Sequence, residues 1–138
     1  MISYSENIQM PLDLVWKNFI YKIEHPEHFV PGVSNVLIKE KTDEFIIREM
    51  DIEPPGGSKF RIVEKITHSP YLVKFLIIEH PVYSGYVDNT AEKISDTETK
   101  ITFSQNWLNK ETGEQFRNEE MIKNAVQKTI KFILQQRA

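Results

Sequence analysis

The sequence predicts an α+β domain in which a curved, seven-stranded antiparallel sheet is closed by a long C-terminal helix, with two short helices between the first and second strands. Two observations carry this expectation. Short runs of β character follow one another between residues 33 and 108, joined by connections too brief for a crossover helix. Helical periodicity is confined to two places, residues 12–23 and the C-terminal stretch.

The opening segment alternates, with Ile2, Tyr4 and Ile8 on one side and Ser3, Ser5, Asn7 and Gln9 on the other, the period-2 signature of a half-buried strand. Behind Pro11, residues Leu12, Val15, Trp16, Phe19, Ile20 and Ile23 recur at three- and four-residue steps and predict an amphipathic helix. Pro26 stops it, a short second turn of helix is expected, and Pro31-Gly32 breaks the chain.

Four strands are then expected at Val33 to Glu40, Glu44 to Ile52, Lys59 to Thr67 and Tyr71 to His80, and two more at Tyr83 to Ile94 and Thr99 to Leu108. Glu53-Pro54-Pro55-Gly56-Gly57-Ser58 reads as a flexible hairpin between antiparallel strands. From about Gly113 to the end, Phe116, Met121, Ile122, Ala125, Val126, Thr129, Ile130 and Ile133 share one broad face. A helix of about 20 residues would span ~30 Å, enough to cross the sheet. The whole of 1–138 is thus read as a single domain.

Composition narrows the function. The 17 basic and 20 acidic residues are mixed along the chain, so no basic stripe is available to replace the counterions of nucleic acid, and no nucleic-acid partner is expected. The absence of cysteine removes disulfides, thiolate metal sites and thiol nucleophiles. No apolar run reaches the ~18 residues of a membrane span, and Met1 to Glu6 lacks a signal-like pattern, so the cytoplasm is the expected compartment, with no membrane insertion. No nucleophile elbow, phosphate loop or dinucleotide fingerprint occurs. His25, His28, His68 and His80 do not form a ligand set, so neither a metal nor another cofactor is expected.

Val15-Trp16 in the first helix and Val30-Pro31-Gly32-Val33 before the second strand, in this order of elements, resemble the START-like (SRPBCC) superfamily of the birch pollen allergen, lipid-transfer domains and polyketide cyclases. Arg48, Val63-Glu64-Lys65-Ile66, Gly85-Tyr86-Val87-Asp88-Asn89 and Thr102-Phe103-Ser104-Gln105-Asn106-Trp107 are similar to its AtaL-like branch. The resemblance implies a helix-grip fold with a cavity between sheet and C-terminal helix. It implies no single activity, because the superfamily includes binders, transporters, cyclases and co-chaperone-like proteins.

Strand parity locates the candidate residues. Phe60, Ile62, Glu64 and Ile66 share a face, which points Glu64 into the pocket, where a lone carboxylate requires a partner. Arg48 is the nearest candidate; the pair would either hold a polar head group or be a structural ion pair at the sheet surface or pocket rim. Val87 and Asn89 share a face with Gly85, and Phe103, Gln105 and Trp107 share another. Gly85 would let its strand bend or let a ligand approach the backbone. Asn89 and Gln105 would be polar points of an apolar wall, or would satisfy buried backbone or water. The expected ligand-binding set is Arg48, Glu64, Phe75, Val87, Asn89, Phe103, Gln105 and Trp107.

Three functions fit: binding of a hydrophobic or aromatic small molecule; a cyclase, dehydratase or isomerase, with Glu64 as catalytic acid/base and Asn89, Gln105 or Tyr86 orienting oxygen atoms; and a co-chaperone-like interaction module. The last rests on Leu76 and Ile78, which would be exposed on the face away from the pocket as a covered patch or a dimer contact, so a monomer or a homodimer is expected.

Overall fold

The computed structural model describes residues 1–54 and 56–136. Pro55 of the expected hairpin and residues 137 and 138 of the expected last helix lie outside the described residues. The chain runs β1 (Ile2–Ile8), α1 (Leu12–Glu24), a single 3-10 turn (Pro26–His28), β2 (Val33–Lys41), β3 (Ile46–Ile52), β4 (Phe60–Ser69), β5 (Leu72–Glu79), β6 (Tyr83–Ser95), β7 (Glu98–Asn109) and α2 (Glu119–Gln135). The seven strands form one antiparallel sheet in the order β1-β7-β6-β5-β4-β3-β2. This is the SRPBCC-like helix-grip fold: a meander from β2 to β7 whose last strand takes up the first, with α2 lying over the concave face.

Three boundaries differ from expectation for local chemical reasons. β3 starts at Ile46 because Thr42 ties the turn, its hydroxyl accepting the Glu44 and Phe45 amides. On α1, Ile20 is 36% exposed while Lys22 is 4% exposed, so the buried stripe runs Val15, Phe19, Lys22, Ile23. The long helix starts at Glu119, not near Gly113, and its 17 residues span about 26 Å. Residues before it continue the sheet: Gln115 bridges to Leu108, and the Phe116 amide donates to the Trp107 carbonyl. Asn118 then caps the helix by accepting the Met121 amide. Phe116 therefore packs on Trp107 and Tyr83 ahead of the helix rather than within it.

Two apolar clusters divide the interior. The larger joins α1 and α2 to the sheet through Phe19, Phe29, Ile66, Phe103, Val126 and Ile133. A smaller one gathers Met50, Ile62 and Trp107 with Phe60, Tyr83 and Phe116. α2 packs most closely along β1 and β7, and the Lys128 ammonium fastens it to the carbonyls of Glu27 and Val30. Between α2 and the middle of the curved sheet a gap remains, and that gap is the cavity.

Gly85 answers the question raised by its sequence. Its φ is +117°, and a Cβ there would stand 1.9 Å from the Asn106 carbonyl oxygen, so the space is taken by the backbone of β7 and not by a ligand. Gly85→Ala is expected to destabilise the fold by about 2–4 kcal/mol, combining a conformation foreign to L residues with a backbone clash. Urea denaturation measures it; a loss below ~0.5 kcal/mol would contradict this reading.

Candidate functional site

The sheet, α1, the β5–β6 connection and the first two turns of α2 enclose a cavity of about 760 Å³. Its wall is mostly apolar. Phe75, Val87, Phe103 and Trp107 contribute from the sheet and Met121, Ile122 and Ala125 from α2. Arg48, Glu64, Asn89 and Gln105 line it as well, so all eight residues of the expected set stand around one space.

The alternating register of β3 and β4 brings Arg48 directly opposite Glu64. An Arg48 Nη donates to a Glu64 carboxylate oxygen at 2.6 Å, and the side chains are 2% and 5% exposed. The alternative of a pair at the surface or rim is thereby corrected, because both charges lie within the core. Arg48 also donates to the Ile23 carbonyl at 2.9 Å, which joins the sheet to the end of α1. Its Nε finds no partner among the described residues.

The residue that the sequence pattern concealed is Lys22. Its ammonium enters the same cavity from α1, donates to the Asn89 side-chain oxygen at 2.5 Å, and lies 4.2 Å from the ring centre of Phe103 and 5.1 Å from that of Phe75. Burial, reinforced by the Arg48 guanidinium and opposed by the Glu64 carboxylate, lowers its pKa from 10.5 to about 7. A signal was available: Val15, Phe19 and Lys22 are spaced i, i+4, i+7, which puts the lysine on the apolar stripe itself.

Because Asn89 spends its oxygen on Lys22, its amide nitrogen is left without a partner, and the side-chain oxygen of Gln105 is in the same position. On the β5–β6 connection, His80 accepts the Val82 and Tyr83 amides at Nδ1, which places its proton on Nε2. Burial, with Lys110 adding to it, holds its pKa down at about 4, so the ring is neutral. His80 Nε2 and Trp107 Nε1 are also buried without hydrogen-bond partners. The wall thus offers donors and one acceptor to the space it encloses. Tyr86, expected to orient oxygen atoms, does not take part. It pairs with the exposed Leu76 on the outer face of the sheet, under the Lys74 ammonium.

Among the described residues no group of histidine and carboxylate side chains could hold a metal ion, and no helix is long and apolar enough to cross a membrane. Residues 6–137 match the family described as Acetylaranotin biosynthesis cluster protein L, AtaL. The chain belongs to the AtaL family. No curated protein matches it. Among solved structures, the Zhui aromatase/cyclase from Streptomyces sp. R1128 is 14% identical with a TM-score of 0.73, covering 98% of this chain and 91% of its own. Protein TTHA0849 from Thermus thermophilus is 10% identical with a TM-score of 0.75, over 99% of both chains. A START superfamily protein from Mycobacterium smegmatis is 10% identical with a TM-score of 0.69, over 99% of this chain and 94% of that one. At these identities the likeness extends the helix-grip fold of this AtaL-family chain to distant relatives and carries no activity with it.

Two stability measurements follow from the buried charges. Glu64→Gln alone is expected to cost about 3–5 kcal/mol, since it strands the Arg48 cation, whereas Arg48→Met combined with Glu64→Leu recovers most of that loss. Chemical denaturation of the two variants beside the wild type checks this; a double variant no more stable than the single one would contradict it.

Lys22 adds a pH dependence. With a folded pKa of about 7 against 10.5 unfolded, the unfolded chain binds more protons between these values, so this group's contribution to stability rises with pH from about 7 to about 10 and is flat below. Lys22→Met is expected to melt above the wild type at pH 6, with the difference shrinking toward pH 9. A difference independent of pH would contradict the assignment.

Proposed function

We propose that the cavity binds a small molecule that is apolar or aromatic over most of its surface and carries a few oxygen atoms. The observation that carries this reading is the convergence of unpartnered buried groups, Arg48 Nε, Asn89 Nδ2 and Gln105 Oε1, on one largely apolar space of about 760 Å³. Each is costly to bury without a hydrogen bond; a ligand oxygen at Arg48 Nε or Asn89 Nδ2 accepts one, and a ligand hydroxyl at Gln105 Oε1 donates one. Volume and composition suit a molecule of two to four fused rings or a comparable chain. The eight expected residues are the binding set of this reading, Lys22 joins them, and the domain acts as a whole in holding the ligand. The family's own description, a biosynthesis cluster protein, supports a secondary-metabolite ligand.

A second reading is favoured by Lys22. An amine with a pKa near 7 is half unprotonated at neutral pH and suits acid/base work on a carbonyl compound. Solved neighbours named as aromatase/cyclases support a cyclisation of a polyketide-like substrate. Glu64, the carboxylate first considered for that work, is committed to Arg48, so Lys22 is the better base. Neither reading calls on a cofactor, and with either we propose a cytoplasmic monomer or homodimer. The co-chaperone-like alternative has only the exposed Leu76 and Ile78 on the outer face of β5, 42% and 49% exposed.

A thermal-shift screen over fatty acids, flavonoids and aromatic polyketides is expected to find a ligand that raises the melting temperature in proportion to the logarithm of its concentration. Val87→Trp, which fills the cavity from β6, is expected to keep the fold and weaken that ligand more than about tenfold. A screen without any stabilising compound, or a ligand indifferent to Val87→Trp, would count against the cavity as the site.

A further inference from the structure

The charges inside the cavity do not balance. Arg48 and Glu64 neutralise one another at 2.6 Å. Lys22 is left over: its partners are the neutral side chain of Asn89 and the faces of Phe75 and Phe103, and among the described residues no carboxylate lies within ion-pair distance of it. A protein that needed only volume at this point of the α1 stripe would use methionine or leucine. Beside Lys22 stand two further donors without acceptors, Asn89 Nδ2 and Arg48 Nε, and both are buried.

We propose that the cavity selects ligands bearing one acidic oxygen, a carboxylic acid or an enolised 1,3-dicarbonyl, and that Lys22 is its counter-ion. This rests on the reading of the cavity as a small-molecule site and adds the charge that the molecule brings. The charged groups that act on Lys22 are Arg48 from β3 and Glu64 from β4. β5, β6 and β7 present Phe75, Asn89 and Phe103, and α2 presents Ile122 and Ala125, none of them charged. Lys59, His80 and Glu120 belong to the same cavity wall, and the charges that act on Lys22 are those of Arg48 and Glu64. An anion beside Lys22 reverses the burial penalty and holds the amine protonated. When a carboxylate binds, the unprotonated fraction of the Lys22 amine takes a proton from solvent and the carboxylate stays ionised. An enol that meets the unprotonated amine gives its own O–H proton to Nζ and leaves the enolate oxygen beside the ammonium with no net exchange, whereas one that meets the ammonium releases its proton to solvent.

The test uses the intact protein with three probes of one shape: 2-naphthoate, 2-naphthoylacetone and the neutral 2-naphthamide. Isothermal titration is run in two buffers of different ionisation enthalpy. At pH 6.5 at least one acid is expected to bind about 10–100 times more tightly than the amide, the range of a charge-assisted hydrogen bond, and this gain is expected to vanish in Lys22→Met. For the wild type, naphthoate is expected to take up close to one proton at pH 8 and about a tenth of one at pH 6. Naphthoylacetone is instead expected to show enolate absorbance without net uptake, so whichever acid gains identifies carboxylate or enolate as the selected group. Amide and acids binding equally, or a gain that survives Lys22→Met, overturns the inference while leaving the cavity reading intact. No binding by any of the three overturns both.

Discussion

Lys22, Arg48 and Glu64 are buried in a space walled by phenylalanine, valine and tryptophan, and the rest of the molecule is arranged to tolerate them. Arg48 is held at both ends, by Glu64 across the β3–β4 ladder and by the carbonyl of Ile23 at the end of α1. Lys22 reaches Asn89 on β6. One polar core therefore fastens α1 to three strands of the sheet at points where apolar contact alone would permit sliding. Such a core adds little net stability compared with apolar packing of the same volume, because desolvation offsets most of the Coulomb attraction. Its retention is better explained by what it presents to the cavity.

The helix-grip architecture makes such a chamber possible. A strongly curved sheet and a straight helix of 17 residues cannot stay in contact along their whole length. Close packing of α2 on β1 and β7, with Lys128 and Phe132 anchoring its C-terminal half to the 3-10 turn region, leaves its N-terminal half over open space. The aromatic group of Phe60, His80, Tyr83, Trp107 and Phe116 walls that end, and the charged groups stand farther along the same space.

Much of this was legible in the sequence because strands obey a strict two-residue alternation. Parity alone turned Glu64, Asn89 and Gln105 inward, and the brevity of the turns required the antiparallel meander that sets Arg48 opposite Glu64. The same parity excludes Tyr86, which neighbours Val87 and must face the other way; naming it as an inward group broke the rule that located the others. Helical faces were less legible. The apolar stripe of α1 could be drawn through Ile20 or through Lys22, and hydropathy favours isoleucine, yet the sheet selected the lysine because Asn89 and two aromatic rings receive it. The start of α2 was hidden for another reason. Phe116 fits the helical period by coincidence, while the bridge from Gln115 to Leu108 keeps that segment on the sheet and leaves Asn118 to begin the helix.

The most direct test of the central claim, that this polar core exists to orient a small molecule within the cavity, is a crystal structure of the protein purified without refolding and soaked with its best stabilising ligand. The ligand is expected between α2 and the sheet, with an oxygen atom within hydrogen-bond distance of Lys22 Nζ or Asn89 Nδ2. Density for the ligand on the outer face of the sheet, or within the cavity but clear of every buried polar group, would contradict it.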